Sequence, residues 1–145
     1  MLFPNNRTNM ENILVSACLL GEACRWHGKK QSVSAFVKRF VKNNPEVNLI
    51  PVCPEVLGGL PVPRPPVKRL KGKVYETCPE KENRKNVTGK ELTDAFVRGA
   101  ELTLDIARSN LCTKAILCSW SPSCGETGIT TKLLQIEGIE VVNTF

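Results

Sequence analysis

Seven cysteines are the residues of this 145-residue chain whose type and number could do chemistry. Three of them, Cys18, Cys53 and Cys124, come shortly after short apolar runs that predict buried strands. The carboxyl ends of parallel strands lie at one edge of a sheet, so we expect these three thiols to converge there. Thiolates bind zinc and iron–sulfur clusters and also act as nucleophiles. The cysteines therefore indicate a metal centre or a catalytic thiol.

The spacing of the cysteines excludes several common sites. No C-x2-C pair occurs, which excludes zinc ribbons, thioredoxin-like redox pairs and bacterial ferredoxin runs. A structural zinc ion would need a fourth protein ligand, either the single histidine, His27, or a fourth cysteine. A cubane iron–sulfur cluster held by three cysteines leaves one iron open as a Lewis acid. Zinc and iron–sulfur chemistry both remain open at this point.

The other four cysteines, Cys24, Cys78, Cys112 and Cys118, are expected to be packing or surface thiols, with Cys24 near any bound cluster. The number of cysteines is odd, and the N-terminus carries no apolar segment typical of a secretory signal. No apolar run reaches transmembrane length, so no membrane partner is expected. These features predict a reduced, cytoplasmic setting.

The elements that must position these residues alternate along the chain. Apolar runs predict strands at 13–15, 47–52, 115–118 and 139–142, and helical periodicity predicts helices at 33–41, 93–107 and 129–136. Strands separated by helices predict an α/β fold: a single-domain, Rossmann-like, mainly parallel sheet flanked by helices. We expect residues 1–12 to be a flexible lead-in and residues 13–145 to form the domain.

Helix ends are marked by residues with known capping roles. Ser32 or Ser34 is expected to cap the first helix, and Thr93 is expected to be the N-cap of the second. Gly138 is expected to follow the last helix because glycine tolerates the left-handed conformation.

A proline-rich stretch separates the second predicted strand from the second helix. Residues 54–66 hold five prolines and two adjacent glycines, which predict an ordered but non-regular loop. Long loops in small domains are commonly functional. Residues 67–90 are polar and predict surface loop, apart from a short strand at 73–76.

The charge balance is basic, with 20 Lys and Arg against 14 Asp and Glu and a net charge of +6. Such a balance favours anionic ligands, including nucleotides and RNA. The charges are scattered, however, and the densest cluster, residues 68–73, is more typical of a solvated loop.

Four ordered motifs closely resemble those of the thiouracil desulfidase family. They read V-S-A-C-L-L-G-x-x-C-R at 15–25, P-V-C-P-E-V-L-G-G-L-P-x-P-R-P-P at 51–66, G-x-x-L-T-x-x-F-x-x-G-A at 89–100 and S-P-S-C-G at 121–125. The resemblance implies a small α/β protein that binds a [4Fe-4S] cluster through three cysteines, leaving one iron without a protein ligand. It also implies replacement of the thiocarbonyl sulfur of a thiolated pyrimidine by oxygen, with release of hydrosulfide and no net redox change.

The matching motifs imply roles for individual residues. By resemblance, Cys18, Cys53 and Cys124 are the cluster ligands, and Glu55 and Ser121 occupy positions implicated in catalysis. Glu55 would activate water or relay a proton, provided that it lies within hydrogen-bonding reach. Ser121 would orient the base or pass protons.

Three further residues, Arg64, Trp120 and Ser123, are candidate substrate contacts. Arg64 lies between prolines and would bind a substrate carbonyl or phosphate, or else fix its own loop through backbone carbonyls. Trp120, like Trp26, would stack on a flat base or fill the core beside the site. The expected partner is a small thiolated nucleobase or nucleotide, with RNA possible but not favoured.

Two other functions compete with this interpretation. Cys124, followed by Gly125 after a strand, could be the nucleophile of a metal-independent hydrolase with His27 as its base. Alternatively, the chain could be a metal-stabilised module that binds RNA through its basic surface.

Overall fold

Six strands and four α-helices follow one another in the structure, a computed structural model that describes residues 10–77 and 89–145. In chain order they are β1 (Glu11–Ser16), α1 (Ala35–Asn43), β2 (Val47–Val52), α2 (Pro54–Leu57), β3 (Val67–Leu70), β4 (Lys73–Glu76), α3 (Thr93–Ser109), β5 (Lys114–Cys118), α4 (Ile129–Ile136) and β6 (Glu140–Thr144). Across these described ranges, none of the helices combines the length and apolar character that crossing a membrane requires. Cys78 lies outside the described residues.

The main sheet has four strands in the order β2-β1-β5-β6, and every neighbouring pair is parallel. The predicted α/β fold with a mainly parallel sheet is confirmed. The chain leaves β1 toward one edge of the sheet and later leaves β5 toward the other. The strand order therefore reverses between β1 and β5, and ligands of such sheets bind beyond the carboxyl ends of the strands at that point.

The central strands form the core. Leu14 and Val15 of β1 and Leu117 of β5 are fully buried, as expected for strands with neighbours on both sides. Side chains from the helices pack against them, including Val37 of α1 and Leu134 of α4. The turns after β1 and β5 are therefore held by the most rigid part of the molecule.

The structure confirms two of the predicted helix ends and corrects the third. The Ser34 hydroxyl accepts the Val37 N–H at 3.3 Å as N-cap of α1, and Gly138 follows α4 with φ of 86°. The prediction that Thr93 caps α3 is wrong, because Leu92 is the N-cap. The Thr93 hydroxyl instead accepts the N–H of Val74 at 2.9 Å, so tertiary contact with β4 outweighs local capping.

Two elements differ from the predicted loops. The prediction of a non-regular loop over residues 54–66 is wrong at its start, because Pro54–Leu57 form the single helical turn α2. Proline at the first position of a helix is favourable because its missing N–H would be unpaired there. Strand β3 was not predicted, yet it pairs antiparallel with β4, and the predicted strand 73–76 is confirmed as β4. Lys71 and Gly72 join them with φ of 52° and 78°, as two-residue hairpin turns require.

Helices α2 and α3 meet at two glycines. A Cβ on Gly99 would lie 1.9 Å from the Pro54 carbonyl oxygen, and one on Gly58 would lie 2.1 Å from the Ala95 oxygen. No side chain fits there, so the two backbones touch. This contact sets the position of α2, which carries Glu55 at the edge of the sheet.

The change Gly99→Ala tests this contact. Alanine normally stabilises a helix interior by about 1 kcal/mol over glycine. Here we expect it to lower the free energy of unfolding by about 1–3 kcal/mol, because the added methyl group forces α2 away from α3. Chemical denaturation measures the change, with Val97→Ala on the exposed face of α3 as control. A stabilised Gly99→Ala variant would contradict the close contact.

Candidate functional site

Five thiols line one cavity at the carboxyl edge of the main sheet. Its volume is about 180 Å³, and its wall includes Cys18, Cys53 and Cys124, the three residues predicted to converge. Cys24 and Cys118 line the same cavity. Cys118 was expected to be a packing thiol; its position as the last residue of a buried strand is the signal that could have placed it here.

Four of these thiols lie close enough to influence one another's ionisation. Cys18 interacts with both Cys118 and Cys24, and Cys24 also interacts with Cys53. Cys53 additionally lies 3.6 Å from the carbonyl oxygen of Cys24. The segment that ends at Cys24 therefore bridges the turn after β1 and the end of β2.

The fifth thiol, Cys124, is held separately. It is 5% exposed, and its hydrogen-bonding neighbour is the side chain of Ser16 at the end of β1. The Ser16 hydroxyl also accepts the N–H of Cys118 at 2.9 Å. Through Ser16, the ends of the neighbouring strands β1 and β5 share one polar contact beside the cavity.

Interactions among the thiols shift their pKa values in opposite directions. The neighbouring Cys118 and Cys24 raise the pKa of Cys18, and the contact with Cys24 likewise raises the pKa of Cys53. Accepting from Cys18 and Cys53 lowers the pKa of Cys24 to about 3. Accepting from Cys18 lowers that of Cys118 to about 7, whereas burial raises that of Cys124 to about 12. In the metal-free protein, these interactions favour the thiolate form at Cys24.

A carboxylate forms the polar wall of the cavity. Glu55 lies in the first turn of α2, two residues after Cys53, and its side chain is 12% exposed. One carboxylate oxygen, Oε1, accepts from Arg64 Nε at 3.1 Å and forms an ion pair with Nη2 of the same side chain at 3.0 Å. The other oxygen, Oε2, accepts from the hydroxyls of Ser121 at 3.4 Å and Ser123 at 3.3 Å. The carboxylate thus joins α2 to the turn after β5.

Ser121 organises the turn that presents Cys124. Its hydroxyl oxygen accepts the backbone N–H groups of Ser123 and Cys124, both at 3.1 Å, in a serine turn. Ser121 itself lines the cavity. Ser123 is 1% exposed and is not among the described residues that line the cavity, so its hydroxyl serves Glu55.

Two tryptophans lie at the cavity wall with their rings partly in solvent. Trp120 is 77% exposed and stacks on Phe145, with ring centroids 6.2 Å apart. Its φ of 67° is unusual for a residue other than glycine, and such strain clusters at functional sites. Trp26 is 45% exposed. Of the two roles predicted for these rings, core filling does not fit this exposure.

His27, the only histidine of the chain, makes its recorded hydrogen bonds to two residues nearby in sequence. Its Nδ1 accepts the N–H of Lys29 at 3.0 Å, and its Nε2 lies 3.3 Å from the side-chain amide of Gln31. Among the described residues, His27 does not line the cavity that holds Cys124. The arrangement therefore gives Cys124 no histidine base, which a metal-independent hydrolase would need.

The donor set fits an iron–sulfur cluster better than a single zinc ion. One zinc ion needs all its thiolates within about 2.3 Å of one point. In the part of the chain that the structure describes, no three histidine, cysteine or carboxylate side chains converge that closely. A cubane cluster instead takes each thiolate on a different iron, so its ligands stand around a cavity. Soft sulfur donors around one cavity match that requirement.

Comparisons with known proteins agree with this geometry. Residues 13–144 match the family described as 2-thiouracil desulfurase. The chain is 30% identical over 146 residues to the uncharacterized protein YbbK of Bacillus subtilis strain 168, covering 90% of this chain and 94% of YbbK. It is also similar to the solved structure of the [4Fe-4S]-dependent thiouracil desulfidase TudS. That match has a TM-score of 0.74 and 33% identity, and covers 92% of this chain and 90% of TudS.

Alkylation of the metal-free protein tests the charge on Cys24. The thiolate is the reacting form of a cysteine. While the pH lies below the pKa of an ordinary thiol, its alkylation rate therefore rises about tenfold for each unit of increase in pH. Because its thiol neighbours lower the pKa of Cys24, we expect its rate with iodoacetamide to rise less steeply from pH 5 to 8 than that of an ordinary thiol. Peptide mass spectrometry follows each site, with Cys112, whose pKa burial raises, as the control. A Cys24 rate that climbs with pH as steeply as that of Cys112 would contradict the lowered pKa of Cys24.

Proposed function

The chain belongs to the 2-thiouracil desulfurase family, and we therefore propose that it is a [4Fe-4S]-dependent desulfidase acting on a thiolated pyrimidine. The reaction consumes one water, replaces the C=S group by C=O and releases hydrosulfide and a proton, with no net oxidation or reduction. The observation that carries the proposal is the placement of the Glu55 carboxylate in the wall of a five-thiol cavity. The 33% identity to TudS over 92% of this chain supports it further.

We assign Cys18, Cys53 and Cys124 as the cluster ligands. Each lines the cavity from the segment that follows a different strand, β1, β2 or β5. Three separate positions in the wall suit a cluster that binds one thiolate per iron. When bound, the cluster supplies one iron without a protein ligand, which acts as a Lewis acid toward the substrate sulfur. Cys24 and Cys118 line the same wall without being assigned as ligands.

Glu55 is the proposed general base. Arg64 holds Oε1, while Oε2 has two long contacts, to Ser121 and Ser123, so a water can replace one of them. Glu55 takes a proton from this water as its oxygen attacks the thiocarbonyl carbon, and then passes the proton to the leaving sulfur. Ser121 lines the cavity beside it and relays protons between the carboxylate and the substrate.

The proposed substrate is a small thiolated nucleobase or nucleotide. A pyrimidine is flat, and the exposed rings of Trp26 and Trp120 offer stacking surfaces at the cavity. Arg25 also lines the cavity, and with the net charge of +6 it favours a phosphorylated ligand over a neutral one. The scattered charges favour such a small molecule over RNA. Six free thiols among the described residues suit the reducing cytoplasm as its place of action.

Cysteine substitutions test the ligand assignment. Protein purified without oxygen should be brown, and Cys18→Ala, Cys53→Ala and Cys124→Ala should each lose the colour, most of the iron and sulfide, and the activity. Cys112→Ala is the matched control, because Cys112 is buried in the core and is not among the described residues lining the cavity. Iron and sulfide analysis measures the outcome. An active, colourless wild-type protein would refute the cluster, and full cluster content in any of the three variants would refute that ligand.

The substitution Glu55→Gln tests the proposed base. Glutamine keeps the shape of the side chain but cannot take a proton, so we expect turnover to fall by about 10²–10⁴-fold while iron and sulfide per chain stay unchanged. Hydrosulfide release from 2-thiouracil, 4-thiouracil and their nucleotides, measured without oxygen, gives the rate. Wild-type rates in Glu55→Gln would remove Glu55 from the mechanism. A cluster-loaded wild-type protein that releases no hydrosulfide from any of these would refute the proposed function.

A further inference from the structure

We propose that Arg64 is a positioning residue for Glu55 and does not contact the substrate. The inference rests on the proposed function, in which Glu55 is the base. Arg64 then affects catalysis only by holding the Glu55 carboxylate in position. Four observations carry it: the contacts of the guanidinium, its burial, the anchoring of its backbone and the second set of donors on Glu55.

The guanidinium is fully engaged with the protein. Its Nε and Nη2 both contact Oε1 of Glu55, at 3.1 and 3.0 Å. Nη1 donates to the Pro61 carbonyl at 3.1 Å, and Nη2 donates to the Cys24 carbonyl at 3.0 Å. Every nitrogen of the group thus has a protein acceptor. Arg64 lines the cavity, but three of its five N–H groups are already donated to protein acceptors, so its side chain is committed to Glu55 and to two backbone carbonyls.

The pair is withdrawn from solvent. The side chain of Arg64 is 4% exposed and that of Glu55 is 12% exposed. A buried guanidinium keeps its charge, because arginine is not deprotonated in proteins. The two charges therefore compensate each other, and either one left alone would be strongly unfavourable in this environment. Glu55 cannot swing out of the cavity without leaving the arginine unpaired.

The backbone of Arg64 is fixed before its side chain is placed. Prolines lie on both sides of it in the chain, and each restricts the backbone to a narrow range of φ. The N–H of Arg64 donates to the carbonyl of Trp26 at 2.7 Å. The arginine is thus tied to the segment between Cys24 and Trp26, which also borders the cavity. A side chain anchored at both ends is suited to holding a partner in place.

The far side of the carboxylate is held by a different element. Ser121 and Ser123 donate to Oε2 from the turn after β5, while Arg64 donates to Oε1 from the proline-rich loop. The Arg64 contacts are the shorter ones and involve two charges, so they are the stronger constraint. Arg64 therefore fixes the orientation of the carboxylate, and the two hydroxyls leave Oε2 able to exchange partners with water.

A double-mutant cycle on the cluster-loaded protein tests the inference. We expect Arg64→Ala to lower kcat by about 100-fold, since a misplaced catalytic group costs about that much. We expect KM for 2-thiouracil to change by less than about twofold, because no substrate contact is lost. In the Glu55→Gln background, Arg64→Ala should add no further loss. Guanidinium at millimolar concentration should restore part of the Arg64→Ala rate but none of the Glu55→Gln rate.

The control is Arg98→Ala. Arg98 donates to the carbonyl of Gly58 at the end of α2, so it also anchors that helix, but it does not touch the carboxylate. We expect its kcat to match the wild type. Arg64→Lys, which keeps the charge but not the two-nitrogen contact, should fall between Arg64→Ala and the wild type.

The outcomes separate the competing roles of Arg64. A raised KM, with losses that add in the Glu55→Gln background, would show that Arg64 binds substrate and would overturn the inference. Loss of iron or of cooperative unfolding in both Arg64→Ala and Arg64→Lys would show that it is only a structural anchor, which also overturns it. Both results leave an active wild type. A loaded but inactive wild type would instead refute the proposed function, and the inference with it.

Discussion

The buried ion pair between Glu55 and Arg64 is the interaction on which the rest of the site depends. A carboxylate and a guanidinium this far from solvent tolerate little displacement, because each loses its compensating charge when the other moves. The pair also contacts several of the segments that border the cavity. Arg64 holds the carbonyl of Cys24, and Glu55 holds the hydroxyls of Ser121 and Ser123. One electrostatic contact therefore sets the relative positions of the turns after β1, β2 and β5.

The sheet supplies the frame in which that contact works. The strand order reverses between β1 and β5, so Cys18 and Cys118 come to the same edge although about a hundred residues separate them. The position of helix α2 does not depend on the sheet. It is set by the backbone contact between Gly58 at the end of α2 and Gly99 of α3. The thiols are thus positioned by the strands of the main sheet, whereas the carboxylate is positioned by the packing of α2 against α3. Rigid supports are what a site needs if its groups must meet a substrate without rearrangement.

Much of this arrangement could be predicted from the sequence, because the strand runs and helix periodicity are strong local signals. These signals predict the parallel sheet. The positions of the strand ends predict that Cys18, Cys53 and Cys124 lie around one cavity. The cap at Thr93 was mispredicted because a strand distant in sequence competes for its hydroxyl. The pairing of Arg64 with Glu55 could not be read from the chain, since an irregular proline-rich loop carries no periodicity that sets side-chain directions. Only coordinates distinguish its two possible roles.

The proposed cubane cluster, with the Glu55 carboxylate beside it, can be located by anomalous scattering at the iron edge from crystals grown and loaded without oxygen. We expect iron in the cavity, bound by the sulfurs of Cys18, Cys53 and Cys124, with the iron that lacks a protein ligand facing Glu55. Iron bound elsewhere on the protein, or a cluster whose irons are all bound by cysteine, would refute the proposed site.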